Sequence, residues 1–142
     1  MNRIEEKIRV VEEYSMKAEE NLPNTYQEFH DLDIEKEGVY KSIEVAIQAS
    51  YDICALIIKE EKLRVPGDEE SLPGILEEED IIDAETADKL KDMKGFRNAL
   101  AHRYGKINDE IAYENIQSGL QDFPVFIEQI KKYLKTNSQP KQ

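Results

Sequence analysis

The sequence predicts an all-α protein, a four-helix up-and-down bundle with additional short helices, and three observations carry that prediction. Apolar residues recur at three- and four-residue spacing in four separate stretches of the 142 residues, and no stretch alternates apolar and polar as a half-buried strand does. Glycine and proline are scarce, six and five in all, too few for a loop-rich β protein. The composition, 39% hydrophobic and 35% charged, is that of a globular helical chain rather than a disordered one. A chain of this length is most simply one domain that buries its own core without metal or disulfide. The expected division is a helical domain over residues 1–135 and a flexible tail over 136–142.

The first helix carries Ile4, Ile8, Val11, Ala18 and Leu22 on one face, with Asn2 placed to cap it and Pro23 to end it. Thr25 and Glu28 have capping-box spacing for a short helix bearing Tyr26 and Phe29. Asp33 then opens a long helix reaching to about residue 63. Its stripe of Tyr40, Ile43, Ile47, Tyr51, Cys54 and Ile58 is flanked by Val39, Ala46, Ile53 and Leu56. A helix so apolar around its circumference needs neighbours on more than one side, so it is the central one, and part of it is expected to meet a second subunit.

Residues 64–83 read as a linker around a short helical turn near Ser71. The acidic clusters Asp68–Glu70 and Glu77–Asp80 lack both EF-hand spacing and histidine, so solvated loop is expected there, with no metal site. Asp83 caps the next helix, whose core positions are Ala87, Leu90, Met93 and Leu100 and whose stop is Gly105. A last helix begins near Asp109 and carries Ile116, Leu120, Phe123, Ile127, Ile130 and Leu134, with a kink expected at Pro124.

Cys54, the single cysteine, sits in an apolar run and reads as a small buried hydrophobe. The N-terminal stretch MNRIEEKIRVVEEY has no signal-peptide core, and no apolar run approaches the roughly 20 residues needed to span a bilayer, so a cytoplasmic location and no membrane contact are expected. His30, in QEFHDLD, has nothing recognisable around it and reads as a surface or capping residue.

Net charge is −12, unlike a general nucleic-acid coat. One stretch departs from the average. Between Lys89 and Lys106 lie six cations (Lys89, Lys91, Lys94, Arg97, Arg103, Lys106) against one acid, Asp92, leaving −17 on the rest of the chain. Two readings stand open. Cations in a last helical turn, followed by glycine, complement the helix dipole and need no function. Alternatively, the stretch handles phosphate: Asn98 and His102 share a face at i,i+4 spacing, Arg97 reaches them if its side chain wraps or the helix end distorts, and Tyr104 follows just past the last turn.

The pattern Arg97-Asn98-Ala99-Leu100-Ala101-His102-Arg103-Tyr104, preceded by Gly95-Phe96, resembles the R-x4-H-x-Y signature of the HepT-like toxins of the HEPN superfamily. The resemblance covers nearly the whole chain: YKSIEVAIQASYDI, residues 40–53, is similar to that family's long second helix, and FRNALAHRYGKIND falls in the matching place. The resemblance implies a homodimeric four-helix ribonuclease that needs no metal or other cofactor, with two motifs facing each other across the subunit interface. It also implies a partner, an MntA-type nucleotidyltransferase antitoxin that transfers AMP to the motif tyrosine, here Tyr104.

Those residue types suit that chemistry. Metal-free RNA cleavage uses the ribose 2′-OH as nucleophile and needs a base near neutral pKa, charge stabilisation on the phosphoryl oxygens and an acid for the leaving 5′-oxygen. His102 fits the base, Arg97 offers a planar fork to the phosphate, and Asn98 orients the imidazole. A two-fold dimer supplies a second His102 as the acid. Lys94, Arg103 and Lys106 form a weaker RNA-attracting surround with Lys89 and Lys91. The alternative function is a non-catalytic helical partner of a nucleotidyltransferase, suggested by the acidic body.

Overall fold

The computed structural model describes residues 2–101 and 108–137. Seven α-helices are described: α1 (Asn2–Asn21), α2 (Tyr26–His30), α3 (Ile34–Glu60), α4 (Leu72–Glu78), α5 (Ala84–Ala101), α6 (Asp109–Gly119) and α7 (Asp122–Asn137), with one 3-10 turn at Glu69–Ser71. No strand occurs among the described residues.

The bundle closes as a ring. α1 packs along α3, α3 against α5, α5 against α7, and α7 returns to α1, while α4 fills the space between α3 and α5 and α6 rests on α2. α3 is the central member. Every residue of its stripe, Tyr40 through Ile58, is buried, as are the flanking Val39, Ala46, Ile53 and Leu56. Cys54 is fully buried, and burial pushes its thiol well above the ordinary range.

Several caps follow the sequence. Thr25 accepts from the Glu28 N–H at 3.2 Å, and Asp83 accepts from the Thr86 N–H at 2.8 Å. The long helix differs at its start: the Asp33 side chain makes no capping hydrogen bond, and the Asp33 N–H instead donates to Glu35 at 3.4 Å. Glu35 thus satisfies the N–H of the residue that precedes the helix, while the first-turn N–H groups receive nothing from the Asp33 side chain.

The last helix also differs. In place of one helix kinked at Pro124, the chain breaks at Leu120–Gln121 into α6 and α7. Pro124 falls in the first turn of α7, where a missing N–H costs no intrahelical bond. Ile116, Leu120 and Phe123 all stay buried across the break, because Leu120 keeps helical dihedrals and donates to the Ile116 carbonyl at 3.0 Å. α7 then continues through Thr136 to Asn137, whose amide reaches Glu61 at 3.1 Å; residues 138–142 lie outside those described.

α6 adds polar and aromatic contacts to its buried Ala112 and Ile116. Asp109 accepts from Lys36 Nζ at 2.8 Å and from the Tyr40 hydroxyl, tying the start of α6 to α3. The Tyr113 hydroxyl donates to the Pro23 carbonyl at 2.7 Å, and its ring lies 5.4 Å from that of Phe29. Burial pushes the Asp109 carboxyl up, but the bonds from Lys36 and Tyr40 outweigh it and hold the group below its ordinary value. Among the described residues no helix is long and apolar enough to cross a membrane.

Candidate functional site

α5 carries the first four cations of the basic stretch, Lys89, Lys91, Lys94 and Arg97, and Tyr51 sets its height against α3. The Tyr51 hydroxyl, in the middle of α3, donates to the Leu90 carbonyl at 2.9 Å in a buried bond. Burial pushes this phenol well above its usual range, so it stays a neutral donor.

One turn beyond Leu90, Lys94 and Arg97 emerge at i,i+3 on one side of α5 and meet the same acceptor. Lys94 Nζ and Arg97 Nη2 lie 3.0 and 3.1 Å from a single oxygen, Oε1 of Glu69. Their side chains are only 11% and 19% exposed, against 38% for Glu69. Glu69 is placed there by its own turn. Asp68 caps that turn by accepting from the Ser71 N–H at 3.0 Å, and Leu72, Ile75 and Leu76 drive the following helix into the groove beside α3 and α5. Residues 68–70, expected as solvated loop, thus supply the counter-charge of the basic island. Asn98 Oδ1 lies 3.5 Å from Arg97 Nη2, a long contact at the limit of a hydrogen bond.

The opposite side of α5 borders a cleft of about 830 Å³ shared with α6 and the start of α7 and floored by Ile43 and Ile47. Lys89, Lys91, Phe96 and Ala99 line it. The island is therefore divided: Lys94 and Arg97 engage Glu69, whereas Lys89 and Lys91 are exposed beside the cleft. His102, Arg103, Tyr104, Gly105 and Lys106 lie outside the described residues. On their C-terminal side the chain is fixed by Asn108, which caps α6 by accepting from the Glu110 and Ile111 N–H groups at 3.0 and 3.1 Å, and by the Asp109 clamp. His30 is exposed and contacts Tyr26 across 3.4 Å.

Glu69 is the residue that reading the sequence misses. It lies 28 positions from Arg97, and neither period nor spacing links them. Among the described residues no three His, Cys, Asp or Glu side chains converge as metal ligands.

The ring of four long helices is a fold shared with solved HEPN toxins. It superposes on the tri-AMPylated HEPN toxin of Shewanella oneidensis in complex with MNT antitoxin with a TM-score of 0.85, covering 93% of this chain and 98% of that one at 24% identity. The family described as "Ribonuclease HepT-like" matches residues 4–130, and the chain belongs to that family. A candidate RNase of Archaeoglobus fulgidus is 30% identical over 122 residues, 86% of this chain and 89% of its own. The mRNA nuclease HepT of Shewanella oneidensis is 29% identical over 96 residues, 68% of this chain and 72% of its own.

Proposed function

We propose that the chain is the toxin of a two-protein toxin–antitoxin system: a metal-independent cytoplasmic endoribonuclease, acting as a homodimer and silenced by an MntA-type nucleotidyltransferase that adenylylates Tyr104. The family match supports the nuclease activity, and the AMPylated toxin with its MNT partner, so similar in fold, supports the mode of silencing. The observation that carries the reading is Arg97. A guanidinium that is largely buried yet has only one nitrogen bonded among the described residues is a group with donors to spare.

In this reading His102 takes the proton of the ribose 2′-OH, and the 2′-oxygen attacks the adjacent phosphorus. Arg97 balances the charge that gathers on the phosphoryl oxygens. The P–O5′ bond breaks as His102 of the second subunit returns a proton to the leaving oxygen. The products are a 2′,3′-cyclic phosphate and a free 5′-hydroxyl. Asn98 orients the imidazole, and Lys94, Arg103 and Lys106 attract the backbone. AMP on Tyr104 adds bulk and negative charge at the motif and so excludes RNA.

Purified protein is expected to cleave single-stranded RNA in EDTA, leaving cyclic or 3′-phosphate ends. His102→Ala cleaving as well as the parent would overturn the assignment. The net charge of −12 favours a second reading, a non-catalytic partner that docks a basic nucleotidyltransferase. Tight complex formation without RNase activity at any stoichiometry is its signature.

A further inference from the structure

Among the described residues, the ion pairs of the basic island both go to Glu69, an acid from another element and from a stretch with no place in the motif. We infer that Glu69 is a positioning residue for the phosphate-binding arginine: its Oε1 anchors Arg97 Nη2 and Lys94 Nζ together, so that the rest of the guanidinium is presented to the RNA backbone. The inference rests on the nuclease reading given above.

Three features of the geometry favour a post over a plug. Glu69 is rigidly mounted, since its turn is capped by Asp68 and followed at once by the buried Leu72. The contact uses one nitrogen of Arg97, and among the described residues Nε and Nη1 make no hydrogen bond, so a phosphate oxygen can be received without breaking it. The charge also remains favourable. One carboxylate shared by two cations neutralises only one of them, while it removes the repulsion that would otherwise push Lys94 and Arg97 apart. A long arginine side chain loses rotamer freedom when it binds phosphate. Glu69 imposes that loss during folding, before substrate arrives.

A gate would use the same contact with the opposite sign. If the carboxylate occupied the place of the phosphate, removing it would improve binding and raise activity.

The test uses the full-length chain and a single-stranded RNA oligonucleotide, with folding checked by circular dichroism. Glu69→Gln is expected to lower kcat by about 10- to 100-fold while KM changes less than about threefold, because the substrate still meets the cations but the fork is no longer aligned. Glu69→Asp, which keeps the charge and shortens the reach, is expected to recover part of that loss. In an Arg97→Ala background, Glu69→Gln is expected to cost nothing further. Full or increased activity in Glu69→Gln, or an equal loss with and without Arg97, would overturn the inference. Should Glu69→Gln fail to fold, Glu69→Asp decides by the same kcat and double-variant criteria. A parent chain that cleaves no RNA removes the nuclease reading and this inference together. An active parent matched by its Glu69 variants removes this inference alone.

Discussion

On the nuclease reading Arg97 holds Glu69 and a phosphate at once, and only a guanidinium has the donors in one plane to do so. Arg97→Lys keeps the charge but puts a single nitrogen where two bonds must point apart. It is expected to reduce kcat/KM by about 10- to 100-fold with little change in melting temperature, measured by cleavage assay and thermal denaturation side by side. Asp109 makes a second residue-scale case, on stability. Its folded carboxyl holds a proton less tightly than the unfolded chain does, so the Lys36–Asp109–Tyr40 clamp contributes in full above the ordinary value of 3.8 and is lost as pH falls through the lowered folded value. Asp109→Asn is expected to cost about 1–3 kcal/mol near neutral pH, and the gap from the parent should narrow below that value. Denaturant titrations from neutral to acid pH read both effects. The sequence singles out Arg97 and Asn98 as candidates because they lie within a few residues of His102 and Tyr104. Nothing local discloses Glu69 or Asp109, whose partners lie 28 and about 70 residues away and meet them only after the bundle has closed.

At the scale of elements, periodicity reads well and breaks read poorly. The α3 stripe is legible because burial on a central helix demands apolar residues at nearly every inward position, and each one named from the sequence is buried. The α6–α7 break is not, because the chain bends while keeping Ile116, Leu120 and Phe123 inward, so the apolar spacing runs on as if the helix did. Proline misleads for a related reason: it marks either a kink or a helix start, and only the position of the break tells which. Helix interiors also hold two glycines that packing does not require. An added Cβ meets nothing within 4 Å at Gly38 in α3 or at Gly95 in α5. Alanine at either is expected to stabilise by about 0.5–1 kcal/mol, raising the melting temperature by about 2–4 °C. The two sites should part company in function. Gly38→Ala leaves RNA cleavage unchanged, whereas Gly95→Ala, beside Phe96 on the cleft, reports through any loss of activity that this face of α5 is in use.

At the scale of the whole molecule, the nuclease reading requires an acidic chain to bring RNA to one small basic region. The dimer in our reading answers this by setting two islands side by side, and it also repairs a shortage. The chain holds two histidines, and His30 is exposed on α2 beside Tyr26, remote in sequence from the motif. In our reading a base and an acid of the same kind come from two copies of His102, which makes every cleavage event depend on both subunits. Mixing parent with His102→Ala subunits, followed by full exchange, tests that dependence directly. If both imidazoles are needed, activity follows the square of the parent fraction, and an equal mixture keeps about one quarter of the activity of the same total of parent chain. If one imidazole per dimer suffices, the same mixture keeps half or more. Light scattering, with 16.5 kDa per chain, establishes the dimer in the samples assayed, and the shape of the mixing curve then separates a shared catalytic centre from two independent ones.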